Sequence, residues 1–157
     1  MELEGGGLRE MEDVRTELIV RGVCVREGKV LLCRNRKKGY VFLPGGHIES
    51  GEGAIEALNR EIREEMGCSS TVGRFLGAAE SRFSQDGATV CELNLVFVFQ
   101  LDDDGATAPP PSVEPHIAFV WQPLNEIAAT MLPPALAHRL QGWVEGTDLD
   151  RFISMSD

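Results

Sequence analysis

The sequence predicts an α/β protein in which one mixed sheet is covered by helices on two faces. Strand-like runs of apolar and β-branched residues lie before and after one amphipathic helix pattern, and a second helix pattern lies near the end of the chain. Hydrophobic residues make up 43% of the 157 positions and charged residues 25%, as in a globular protein large enough to bury a core. We expect a single domain over residues 16–144, a mobile lead-in at 1–15 and a weakly held tail at 145–157.

The individual elements follow from local pattern. Strands are predicted at 17–25, 30–33, 40–43, 71–82, 89–101 and 117–121, and helices at 53–66, 124–129 and 134–143. The turn residues Glu27, Gly28 and Lys29 predict that the first two strands form a hairpin. Residues 102–115 contain several acids and four prolines, so they are expected to form a loop.

The helix predicted at 53–66 has an apolar stripe and a separate acidic face. Its apolar residues recur at steps of three and four, namely Ala54, Ile55, Leu58 and Ile62. Glu61, Glu64 and Glu65 share another face, where their like charges repel each other unless a cation binds them. A hard divalent cation prefers such oxygen ligands. The alternative is a solvated acidic face with arginine partners, ended by Gly67 as a C-cap.

The glycines and charges around this helix have a fixed spacing. Gly46 is followed by five residues and Glu52, then by seven residues and the run REIREEMGC at 60–68. This pattern resembles the signature box of the Nudix hydrolases, the MutT-type pyrophosphohydrolases. It departs from that box only at Cys68, where the family has an aliphatic residue and where a small, usually buried thiol should pack as well. The resemblance implies an α/β/α sandwich with a mixed sheet, in which the box forms a loop-helix-loop.

The resemblance also implies metal-dependent hydrolysis of a pyrophosphate bond in a nucleoside diphosphate linked to another moiety. We expect Mg²⁺, with Mn²⁺ as the alternative, because such ions neutralise phosphate oxygens and activate water. The expected metal ligands are three carboxylates and, by resemblance, one backbone carbonyl: Glu61, Glu64, Glu65 and Gly45. Arg60 and Glu52 are expected to orient these carboxylates. Glu52 could instead simply favour the helix dipole.

Residues outside the box are candidates for the base and for substrate binding. The base is either a box glutamate or a later acid, for which Glu114 is the first candidate and Glu92 the second; the alternative for Glu114 is a loop acid that is simply solvated, as loop acids beside prolines more often are. A basic cluster and two aromatic residues could hold phosphates and a nucleobase, namely Arg34, Arg36, Lys38, Tyr40 and Phe83. The alternatives are an exposed hairpin end that carries charge and aromatic side chains that belong to the core.

The range of possible substrates is narrowed by residues that mark particular Nudix subfamilies and that this sequence lacks. Family members that act on ADP-ribose tend to have a proline about sixteen residues past the box, but Ser84 and Gln85 occupy that region. The same region also lacks the tyrosine that many dinucleoside polyphosphate hydrolases have there. The segment before the box that marks coenzyme A hydrolases is not recognisable either. A nucleoside triphosphate or related nucleotide remains. The alternatives are a non-catalytic Nudix-like sensor of nucleotides or sugar nucleotides and an isomerase built on the same fold.

Net charge and cysteine usage limit the partners and the compartment. A net charge of −10 disfavours nucleic acids and membrane surfaces as partners. The four cysteines are scattered without zinc-site spacing, and no apolar run reaches the length of a membrane span. The N-terminus lacks the features of a signal peptide. We therefore expect a cytoplasmic protein with a small nucleotide-type substrate. Nudix proteins are frequently dimers, so the resemblance suggests a homodimer, although no stretch marks an interface.

Overall fold

The computed structural model describes residues 13–103 and 105–154, and within them the chain forms ten strands and two α-helices. The strands are β1 (Val14–Val23), β2 (Val25–Arg26), β3 (Lys29–Asn35), β4 (Val41–Phe42), β5 (Gly45–His47), β6 (Ser70–Gln85), β7 (Ala88–Leu101), β8 (Ile117–Pro123), β9 (Met131–Leu132) and β10 (Phe152–Ile153). The helices are α1 (Ala54–Met66) and α2 (Pro134–Glu145). Residues 1–12 of the predicted lead-in lie outside the described residues.

The strands form two mixed sheets, so the expectation of a single sheet layer was wrong. In the first sheet the order is β10-β6-β7-β1-β5, with β1 parallel to β7 and antiparallel to β5. The second sheet has the order β2-β3-β4-β9, and β8 pairs with the other edge of β3. Each sheet contains both parallel and antiparallel pairs, so the predicted α/β class with mixed pairing is confirmed.

The predicted hairpin between residues 17–25 and 30–33 is only partly correct. The turn is present, because Glu27 and Gly28 have φ angles of 50° and 73° and join β2 to β3. The longer strand before it, however, belongs to the first sheet, where it pairs with β7 over its whole length. Ile19, Val20 and Val23 are all buried. A strand with buried residues on both faces is favoured in the middle of a sheet over an outer hairpin.

The two helices lie against different hydrophobic clusters, each of which includes residues of both sheets. Helix α1 contributes Ala57, Leu58, Ile62 and Met66 to one cluster, and α2 contributes Leu136, Ala137, Leu140 and Trp143 to the other. Helix α1 begins after Gly53, whose amide donates to Glu56 at 3.1 Å, and ends at Gly67 in the left-handed conformation with φ 70°. This helix therefore has the limits that its sequence predicts.

The end of the chain differs from the prediction. The helix expected at 124–129 is a single 3-10 turn at Ile127–Ala129. The expected weakly held tail after residue 144 instead packs on the protein as far as it is described. Strand β10 pairs with β6, Ile153 is buried, and Arg139 binds Asp148 at 2.8 Å. Among the described residues, no helix is long and apolar enough to cross a membrane.

Candidate active site

The glycine loop before α1 is pressed against β1 and the helix. Gly45 is the register partner of Arg21 and has a φ of 136°, and a Cβ atom there would lie 2.0 Å from the carbonyl oxygen of Val20. At Gly46 a Cβ atom would lie 2.4 Å from the carboxylate carbon of Glu61. Gly45 therefore requires glycine, because a side chain there would meet backbone atoms, and Gly46 places the loop backbone directly against an acidic side chain of the helix.

Arg60 connects the acidic residues of the box. Its Nε and Nη2 atoms donate to the carboxylate of Glu52 at 2.7 and 3.0 Å, in the paired geometry that arginine makes with carboxylates. Its Nη1 donates to Glu61 at 2.9 Å, and Nη2 also reaches the carbonyl oxygen of His47 at 2.9 Å. Hydrogen bonds from Arg60 lower the pKa of Glu52 to about 2. This network fixes the Glu61 side chain and the loop relative to each other.

Glu64 and Glu65 lie in different environments although they are adjacent. The Glu64 side chain is 53% exposed and contacts Arg60 at 3.3 Å. Glu65 is buried, and its Oε2 atom has no hydrogen-bond partner among the described residues. Burial, reinforced by the negative charge of Glu61, raises the pKa of Glu65 to about 8. A buried carboxylate oxygen without a partner is unfavourable unless a proton or a cation joins it.

The proline-rich loop approaches the same end of α1. The amide of Val113 donates to the carbonyl oxygen of Glu65 at 2.8 Å, and a Cβ atom on Gly67 would lie 3.3 Å from the Val113 side chain. The neighbouring Glu114 is close enough that its charge contributes to the raised pKa of Glu65. The predicted loop is therefore tied to the box helix, and it brings Glu114, the first candidate for a base outside the box, towards Glu65.

A cavity of about 670 Å³ lies beside the glycine loop. We call it the aromatic cavity; its lining includes Tyr40, Phe42, Phe83, Arg21, Arg82, Ser81, Glu92, Asn94 and Leu43. Arg21 donates to the carbonyl oxygen of Leu43 at 3.2 Å, and its positive charge acts on Glu65. A cavity of this size with aromatic walls and a few polar groups is typical of a small-molecule site.

A model of the NUDIX domain matches residues 16–143. The chain belongs to the Nudix hydrolase family. It is 40% identical over 65 residues to the ADP-ribose pyrophosphatase of Methanocaldococcus jannaschii, which covers 40% of this chain and 38% of that protein. It is 44% identical over 59 residues to the nucleoside triphosphatase NudI of Escherichia coli strain SE11, covering 34% of this chain and 42% of that one. The matched stretches thus span about two fifths of each relative.

Solved structures show the same Nudix fold. The crystal structure of a UDP-X diphosphatase superposes with a TM-score of 0.65 at 20% sequence identity, covering 88% of this chain and 67% of the other. At this level of identity the likeness concerns the fold alone. It agrees with the arrangement of two mixed sheets and two helices described above.

Nudix enzymes generally use divalent metals, and the donors in this box fit such an ion in part. As the side chains stand, no three His, Cys, Asp or Glu side chains within 13–103 and 105–154 are grouped to hold a metal. The orphaned buried oxygen of Glu65 nevertheless lies near Glu61, whose carboxylate contacts the glycine loop. Hard oxygen donors of this type suit Mg²⁺ or Mn²⁺. The fit therefore rests on Glu65, Glu61 and the loop backbone, with Glu64 at the exposed edge.

The predicted substrate residues fall into two groups. Tyr40 and Phe83 both line the aromatic cavity, whereas Arg34, Arg36 and Lys38 are exposed and are not part of its lining. Arg36 is tied to the carbonyl oxygen of Ile117 at 3.0 Å. Their role in binding phosphate remains a prediction.

Sequence reasoning missed two arginines and one amide of the aromatic cavity. These are Arg21, Arg82 and Asn94. The one available signal was that Arg21 is a charged residue inside the apolar run LIVRGVCV, which would be unfavourable in a core without a partner.

Proposed function

We propose that this Nudix protein hydrolyses a pyrophosphate bond in a nucleoside diphosphate linked to another moiety, with Mg²⁺ as its cofactor. The observation that carries this proposal is the buried, unpartnered Oε2 atom of Glu65 beside Glu61 and the glycine loop. Folding alone gains nothing from a buried carboxylate oxygen without a partner, so its position beside Glu61 favours a role in binding a cation.

The proposed ligands are Glu61, Glu64, Glu65 and the backbone carbonyl of Gly45. The cation, when bound, supplies positive charge against the phosphate oxygens. Because Arg60 holds Glu61 and the carbonyl group of His47 at the same time, it would keep the carboxylate and the loop at a fixed separation. Glu52 orients Arg60 through the paired hydrogen bonds.

The general base is proposed to be Glu114. Its loop is anchored to the carbonyl oxygen of Glu65 through Val113, so the carboxylate stays near the box. The Glu114 side chain is 42% exposed, which leaves it open to water. A carboxylate held next to the reacting phosphate could accept a proton from the attacking water at its Oε atoms.

A nucleoside triphosphate or a related nucleotide is the proposed substrate. One relative is named a nucleoside triphosphatase and another an ADP-ribose pyrophosphatase, so the relatives indicate small nucleotide substrates without agreeing on one. The aromatic cavity next to the box has room for a nucleoside. We also propose that the protein acts in the cytoplasm, and that it does not act on nucleic acids.

The test is product release from a substrate panel. Nucleoside triphosphates, sugar nucleotides, dinucleoside polyphosphates and dinucleotide cofactors are incubated with the protein and Mg²⁺, and phosphate and pyrophosphate are measured. We expect one class to be hydrolysed, with turnover lost in EDTA and reduced at least about a hundredfold in Glu65→Gln. Exposed Glu56→Gln on the same helix is the matched control and should retain full turnover.

A non-catalytic nucleotide sensor is the second candidate function. It would bind a nucleotide from the panel without releasing any product. The presence of every box glutamate favours the hydrolase. Binding without turnover in the whole panel would favour the sensor and contradict the hydrolase.

A further inference from the structure

We infer that the aromatic cavity selects a guanine base through Glu92 and Asn94. This inference deepens the proposed function and rests on it, because it names the class of nucleotide that the site would take. The two residues lie two positions apart on β7, and Ser81 on β6 is the register partner of Glu92. All three line the aromatic cavity, and we call them the polar floor.

The polar floor presents hydrogen-bond acceptors to the cavity. Ser81 Oγ and Asn94 Nδ2 both donate to the same oxygen of Glu92, Oε2, at 3.3 Å. Neither Oε1 of Glu92 nor Oδ1 of Asn94 forms a hydrogen bond within the described part of the chain. Asn94 is only 6% exposed, and an amide buried to this extent normally uses its oxygen as well as its nitrogen. These two oxygen atoms of the polar floor are therefore free to accept hydrogen bonds from a bound ligand.

The donor pattern of guanine matches these acceptors better than the pattern of other bases. Guanine carries N1–H and the N2 amino group side by side, so a carboxylate can accept from both. In adenine a ring nitrogen with a lone pair lies next to the amino group and would face the negative carboxylate of Glu92. The N3–H of uracil lies between two carbonyl oxygens, which are also acceptors. A floor made of acceptors thus penalises these bases.

The remaining lining suits an aromatic base attached to phosphates. Tyr40 and Phe83 are 37% and 40% exposed, so their ring faces are available to a ligand. Arg21 lines the same cavity and is the register partner of Gly45 in the box. The cavity that would hold the base therefore lies next to the loop at which the pyrophosphate would be cleaved.

Nucleoside monophosphates test this inference apart from hydrolysis, since they contain no pyrophosphate bond. We would measure the dissociation constants of GMP, IMP and AMP for the intact protein by calorimetry. GMP is expected to bind at least about tenfold more tightly than AMP. IMP lacks the N2 amino group, so its affinity should fall between the two.

Variants of the polar floor show which residue is responsible. Glu92→Gln keeps the shape of the side chain but replaces one acceptor by an NH₂ donor, so it should weaken GMP binding about tenfold and should not weaken AMP binding. Ser84→Ala is the matched control, because Ser84 is an exposed residue of the same strand β6 that does not line the cavity; it should keep the preference for GMP. Thermal unfolding midpoints close to that of the wild type show that both variants are folded.

The outcomes separate this inference from the proposed function. Equal binding of GMP and AMP, absence of binding for all three nucleotides, or a GMP preference that survives Glu92→Gln would overturn the role of the polar floor. A GMP preference in a protein that hydrolyses nothing would support the polar floor and contradict the hydrolase. Hydrolysis of nucleotides without a preference for guanine would support the hydrolase and contradict the role of the polar floor.

Discussion

Replacing Glu65 by glutamine should flatten the pH dependence of stability in the metal-free protein. Burial raises the pKa of Glu65 from its ordinary value of 4.5 to about 8. The unfolded chain thus loses this proton near pH 4.5, whereas the folded chain holds it until about pH 8. The stability that Glu65 contributes is fully present below pH 4.5 and is lost as the pH rises to about 8.

The size of the effect follows from the shift in pKa. At about 1.4 kcal/mol per pH unit, a rise from 4.5 to about 8 corresponds to an upper limit of about 5 kcal/mol. Part of this will be offset where water or backbone motion solvates the carboxylate. We therefore expect the free energy of unfolding of the wild type to fall by about 2–4 kcal/mol between pH 5 and pH 9 relative to Glu65→Gln.

Urea unfolding in EDTA at several pH values, followed by circular dichroism, measures this difference. Glu64→Gln is the matched control on the same helix, because the Glu64 side chain is 53% exposed and should leave the wild-type pH profile unchanged. Added Mg²⁺ should restore stability to the wild type above pH 7, and much less to Glu65→Gln. Parallel pH profiles of the wild type and Glu65→Gln would refute the reasoning.

Three further substitutions test the packing of the site and the fold. Gly46→Ala places a methyl group against the Glu61 carboxylate, so turnover should fall at least about tenfold; unchanged kinetics would show that the loop can move aside. Arg60→Lys loses the paired hydrogen bonds to Glu52 and should reduce the Mg²⁺ affinity measured by calorimetry about 10- to 100-fold. Unchanged Mg²⁺ affinity would show that Arg60 does not orient the ligands. Gly77→Ala brings a Cβ atom to 2.7 Å from the Trp143 ring and should destabilise the fold by about 1–3 kcal/mol in urea, whereas Gly73→Ala, with its nearest contact at 3.6 Å, should not.

The box helix was predictable because all its signals are local. Its apolar stripe, its start after Gly53 and its end at Gly67 depend on residues within four positions of each other. The link between Arg60 and Glu52 also spans a single loop and turn. Such short-range features are recorded directly in the sequence.

Features that depend on distant partners were not predictable in the same way. The assignment of β1 to the first sheet depends on β7, whose paired residues lie 75 positions further along the chain, as in Val14 and Thr89. The end of the chain, residues 145–157, was expected to be weakly held. Its order comes from Trp143, whose indole nitrogen donates to the backbone carbonyl oxygen of Asp150 at 2.7 Å, and from the pairing of β10 with β6.

The aromatic cavity shows the same division between local and distant information. Tyr40 and Phe83 were singled out for their residue type alone. Their meeting with Glu92 and Arg21 requires four separate segments of chain to converge. A basic cluster close in sequence to the box, which includes Arg36, does not line this cavity. Proximity along the chain was therefore a poor guide to the walls of the site.

The most direct test of the account is Mn²⁺ binding measured by electron paramagnetic resonance in the wild type and Glu65→Gln, with turnover of the best panel substrate measured in the same samples. We predict that Glu65→Gln binds Mn²⁺ at least about tenfold more weakly and loses turnover in parallel. Equal Mn²⁺ binding and equal turnover in the two proteins would contradict the claim that the buried carboxylate forms the metal site.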